Sequence, residues 1–183
     1  MTWIVQSYDV SSDQPVGGKA LALASAQAAG LPVPDFFVVL PSAFDHSLAM
    51  TGAPPAAPRK EVGRVVTTDV MPSEEVVHAI GAALETMCLR GERVAVRSSA
   101  SDEDDNAHSH AGQLESFLDV SVDDVAARVA DVWRSGEGAR LLAYRQQRGL
   151  SQTLAAPAVI VQRMVCADAA GVAFSADPVS GRR

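Results

Sequence analysis

The stretch RVAVRSSASDEDDNAHSHAGQLESFLDV, residues 93–120, constrains this chain more than any other segment. Val94 and Val96 alternate with other residues in a run that reads as a strand and ends on Arg97, Ser98 and Ser99. Phe117 and Leu118 mark a second strand. Between them lies a polar stretch with no apolar anchor, which leaves through Ala111, Gly112 and Gln113. Two strands framing such a loop, with a guanidinium at one end and a glycine at the other, suit a polyphosphate clamp. Arg97 supplies a planar, always-charged donor pair, and Gly112 lets the backbone approach a ligand closely.

At 183 residues and 48% hydrophobic, the chain can bury one sizeable core. No apolar run approaches the length needed to span a membrane, and the opening MTWIVQSYDVSSD lacks the basic start of a secretory signal. Cys88 and Cys166 fall in apolar segments, as reduced core thiols of a cytoplasmic protein do. A net charge of −7 argues against a dedicated nucleic-acid binder. It leaves room for a nucleotide site, because a few local cations suffice to hold a triphosphate.

The remaining pattern alternates strands and helices, which predicts an α/β or α+β class. Residues 2–6 read as a short strand. Residues 17–29 read as a helix that stops at Gly30 with Pro32 just beyond. Residues 35–40 form a buried strand, and residues 41–50 a short helix with Pro41 in its first turn. Residues 51–60, with Gly52, Pro54, Pro55 and Pro58, make a surface connector. A helix within residues 72–90 is expected to bury Val77, Ile80, Leu84, Met87 and Cys88. A second, over residues 122–134, is expected to be capped by Ser121 and to bury Val122, Val125, Val129, Val132 and Trp133. A third helix covers residues 139–148, and a last strand residues 158–165.

Lys19 follows Gly17 and Gly18 and opens a helix, whose free N–H groups and positive dipole favour phosphate. The sequence is not a Walker A loop, since Ala20 stands where Ser or Thr would sit. Asp102, Glu103, Asp104 and Asp105, with His108 and His110, offer metal-ligand residue types at a spacing that matches no rigid cage; a solvated loop accounts for them. By periodicity alone, residues 162–165 are an ordinary strand end.

Three stretches in order resemble the amino-terminal nucleotide-binding domain of the phosphoenolpyruvate synthase, pyruvate phosphate dikinase and rifampicin phosphotransferase family. They are Val16-Gly17-Gly18-Lys19, RSSASDEDDNAHSHAGQ at residues 97–113, and VIVQRMVCADAAGVAFSADPVSG at residues 159–181. The chain departs from the family pattern at Asn106, where proline is common, and at His110, where an aromatic residue is common.

The resemblance implies an ATP-grasp-like fold, with residues 1–165 as its first lobe and 166–183 as the start of the second lobe or a tail. It implies an enzyme that uses ATP to phosphorylate a carrier histidine, which passes the phosphoryl group to pyruvate, an antibiotic or a similar acceptor. Lys19 and Arg97 would contact the phosphates, Gly112 and Ser116 would lie near the nucleotide, and Gln162, Met164 and Val165 would border the adenine. The Mg2+ ligands, the carrier histidine and the acceptor domain are expected outside this chain. None of His46, His78, His108 or His110 has the glycine-rich setting of the carrier. The isolated chain is therefore expected to be inactive, with a tail that is either disordered or paired with a second copy. Two other readings stay open: a stand-alone nucleotide- or partner-binding module, and part of another ATP-grasp ligase.

Overall fold

Among the described residues, five strands make one sheet in the order β1-β2-β5-β3-β4, and every neighbouring pair is antiparallel. They are β1 (Ile4–Gln6), β2 (Phe36–Val39), β3 (Val94–Ser99), β4 (Ser116–Val120) and β5 (Ala158–Arg163). The helices are α1 (Gly17–Ala28), α2 (Pro41–Met50), α3 (Glu74–Thr86) and α4 (Val125–Ser135). The computed structural model describes residues 2–52, 70–87, 89, 91–100, 115–135, 156–174, 176–177 and 181–182. The expected helix at 139–148, most of the connector at 51–60, Cys88 and the loop at 101–114 lie outside these; Cys166, expected in the core, is exposed beyond the end of β5. The all-antiparallel sheet narrows the expected class to α+β.

Strand alternation splits the core in two. Phe37, Val39, Val159, Val161, Val94 and Val96 face a large cluster with α2, α3 and α4. Phe36, Val38, Ala158 and Ile160 face a smaller one with Val16, just before α1, and Ala20 within it. β2 and the first four residues of β5 are therefore covered on both faces and read as unbroken apolar runs. Trp133 is fully buried and meets Phe44 edge-on, with ring centroids 5.4 Å apart. An aromatic pair of this kind adds about 0.5–1.5 kcal/mol beyond the area it buries.

The helix ends follow local chemistry. Pro41 starts α2, and the Ser73 hydroxyl accepts from the Val76 N–H to cap α3. Two expected core positions are exposed instead. Val77 yields to Val76, which lines up with Ile80, Ala83 and Met87 on the buried side. Val122 sits in a separate 3-10 turn, Val122–Asp124, out of phase with α4. Ser121 does not cap that turn through its side chain; its hydroxyl donates to Asp124 Oδ2 at 2.7 Å. Among the described residues no helix is long and apolar enough to cross a membrane.

Candidate functional site

The C-terminal end of β3 carries the site, and the start of α1 is docked against it. Gly17 takes φ +79°, a conformation open to glycine, and packs on Ser99. The Gly18 N–H donates to the Ala100 carbonyl at 3.3 Å, and the Ala20 N–H to the Ser99 hydroxyl at 3.2 Å. Two of the N–H groups that open α1 are thus occupied by β3 and its continuation. Among groups at this junction, the Lys19 side chain is the one with reach. Its ammonium donates to the Ser98 carbonyl at 3.5 Å and so lies beside the backbone of Arg97.

Register places Arg97 on the α1 face of the sheet. It stands opposite Ile160 of β5 and Ser116 of β4, while Ala95, two residues back, stands opposite Gln162. Residues directly opposed in an antiparallel pair point to the same side. Lys19, Arg97, Ser116 and Gln162 are therefore brought to one face. Arg97 is partly exposed and forms no ion pair with any described residue. Gly112 lies outside the described residues.

At the end of β5, Gln162 is buried and its side-chain amide donates to the Pro34 carbonyl at 3.3 Å. The Met164 N–H is taken by the Arg93 carbonyl at 2.9 Å, and Val165 emerges exposed. Of the backbone groups expected near the adenine, the Met164 donor is thus occupied by the sheet. A cavity of about 320 Å³ runs along β4 between Ser116 and Val120 and is bordered by Asp124 and Arg128. It shares Ser116 with the site and contains neither Lys19 nor Arg97.

Sequence reasoning passed over Ser98 and Ser99, both buried, and the partners of Arg163. A usable signal was present for the serines: a strand ending in two small hydroxyl residues can bind a helix start without crowding it. For Arg163 there was none, because Asp35 and Glu92 are far apart in sequence.

Residues 13–183 match the pyruvate phosphate dikinase AMP/ATP-binding domain. The chain belongs to this family. It is 34% identical to a probable phosphoenolpyruvate synthase of Methanothermobacter thermautotrophicus, over 90% of this chain and 27% of that protein. It is 35% identical to a prodigiosin-synthesizing transferase of Serratia marcescens, over 91% of this chain and 19% of that one. It is 33% identical to a rifampicin phosphotransferase of Streptomyces sviceus, over 98% of this chain and 23% of that protein. The chain thus spans about a quarter or less of the length of these curated relatives. Lys19 and Arg97 both lie inside the matched region.

Proposed function

We propose that this chain is the ATP-binding portion of a phosphotransferase similar to phosphoenolpyruvate synthase and pyruvate phosphate dikinase. In this reading, residues 1–165 form the first lobe of an ATP-grasp-like domain, and 166–183 begin the second lobe. The enzyme uses ATP to phosphorylate a carrier histidine that serves pyruvate, an antibiotic or a similar acceptor. Carrier and acceptor domains lie downstream or on a separate chain, the Mg2+ ligands lie outside this chain, and the protein works in the cytoplasm.

The observation that carries the reading is that Lys19 docks at the junction of α1 and β3, on the sheet face that Arg97 and Ser116 share, with Gln162 farther along the same face. Two cations on one face of the sheet, one planar and one a point charge, suit a chain of phosphates. The residues present fit ATP in this way. Lys19 and Arg97 hold the phosphates, with Gly112 and Ser116 beside them, and the backbone of residues 162–165 borders the adenine. With the Met164 N–H occupied, the Val165 N–H is the donor that remains to read the base edge. Bound ATP supplies the phosphoryl group; the chain's own contribution is to position it and offset its charge.

Titration of the chain with ATP and magnesium, alongside a phosphate-release assay, tests this. Weak saturable binding that is lost in the Lys19→Ala/Arg97→Ala double variant, with no turnover, is expected. Binding unaffected by that double substitution would remove the site. Robust magnesium-dependent hydrolysis by the pure chain would show that the catalytic set is already here.

A further inference from the structure

We infer that Arg163 is a positioning residue for the adenine-bordering segment, setting where Met164 and Val165 leave the sheet. The inference rests on the nucleotide reading above. Arg163 is the last residue of β5 and stands opposite Val94 of β3, so its side chain lies on the α2–α4 face, away from Lys19 and Arg97. It cannot touch a ligand held on the α1 face. It holds what the ligand would lean on.

Its guanidinium gathers three chain segments. Nη1 donates to Glu92 Oε2 at 2.9 Å, just before β3. Nη2 faces Asp35 Oδ2 at 3.4 Å, just before β2, and also donates to the Met87 carbonyl at the end of α3. The Arg163 backbone N–H donates to the Asp35 carbonyl at 2.9 Å. Glu92 adjoins Arg93, whose carbonyl receives the Met164 N–H. The clamp is therefore one residue away from the amide that fixes the exit of the chain, on both sides of β5. Gln162 repeats the device on the opposite face by tying Pro34.

A planar fork with donors in several directions can serve two carboxylates and a carbonyl at once; an apolar side chain cannot. The side chain is 27% exposed, so these attractions are only partly screened. Removing them leaves Val159, Ile160 and Val161 buried in the two cores. The loss should thus be local to the strand end. It should affect the adenine half of the ligand and spare the phosphate half.

The experiment titrates the isotope-labelled full chain by NMR with ATP and, separately, with inorganic tripolyphosphate. Arg163→Met should weaken ATP about ten-fold, the scale of one misaligned hydrogen bond. Tripolyphosphate affinity should stay within about two-fold, inside the scatter expected of a distant substitution. The Asp35→Asn/Glu92→Gln double variant removes the anchors while keeping the guanidinium, and should show the same split if Arg163→Met fails to fold. Unchanged ATP affinity in these variants overturns the inference, and so does an equal loss of both ligands, which marks a role in stability alone. If the wild-type chain binds neither ligand, the nucleotide reading itself fails, and this is seen before any variant is made.

Discussion

Gly17 and Ser99 are packed so closely that a Cβ on Gly17 would lie 2.5 Å from the Ser99 hydroxyl and nearer still to its carbonyl oxygen. The glycine also holds φ +79°. Both facts forbid a side chain, and backbone on the strand side cannot move aside as a flexible side chain would. A non-glycine residue in this conformation costs about 1–2 kcal/mol, and forced overpacking about 1–3 kcal/mol more. Gly17→Ala should therefore destabilise the domain by roughly 2–5 kcal/mol, the sum of those two effects. Urea unfolding checks this; a loss below about 1 kcal/mol, within the range of ordinary surface changes, would mean that α1 is not held as described.

The same junction sets the expectation for Arg97. Arg97→Lys keeps the charge but loses the planar pair of donors. Each charge-assisted hydrogen bond lost costs roughly 1.5–3 kcal/mol, about ten- to a hundred-fold in affinity. The substitution should weaken ATP binding more than alanine at any one of Asp102, Glu103, Asp104 or Asp105. Nucleotide titration of the five variants decides. If Arg97→Lys binds as wild type does while Asp104→Ala abolishes binding, the acidic run is the site.

Local chemistry was legible in the sequence, and long-range pairing was not. The end of α1 at Ala28, the start of α2 at Pro41 and the strand 94–99 follow from glycine, proline and valine spacing. The insertion of β5 between β2 and β3 depends on residues 59 or more positions apart, which no periodicity encodes. The error at Val77 has a specific cause. Adjacent valines offer two phases for one helix, and the small Ala83, easily overlooked, lets α3 pack closely in the phase of Val76. Lys19 and Arg97 were each suggested by their own neighbourhood. Their shared face required the register of β3 with β4 and β5.

Glu75, in the first turn of α3, has its carboxyl held below the ordinary value of 4.5. The main cause is a hydrogen bond from its own backbone N–H, followed by one from the Ser73 side chain, with attraction to His46 adding to both. A depressed carboxyl stabilises the fold above its unfolded value, and the contribution disappears as pH falls through the folded one. Wild type should thus melt above Glu75→Gln at pH 6–7, and the gap should close as pH drops below about 4.5, the unfolded value. Thermal midpoints at stepped pH test the sign. A gap that widens in acid would contradict it.

The segment after β5 carries Val165, Val172 and Phe174 at 58%, 79% and 65% exposure. Residues 164–174 form no strand or helix, and apart from the Met164 N–H their backbone groups enter no hydrogen bond among the described residues, which leaves them open to pairing. An apolar stretch with open ladder groups invites a second copy of the chain to pair with it. The net charge of −7 opposes close approach of two copies, and salt screens that repulsion. Light scattering on the full chain should therefore show a mass that rises above the monomer with concentration, and more so at high salt. A version ending at Val165 should stay monomeric under the same conditions, and Phe174→Ser should fall between the two. If the full chain remains monomeric at every concentration and in high salt, the exposed residues are covered by something other than a second copy, and the dimer reading of this tail is lost.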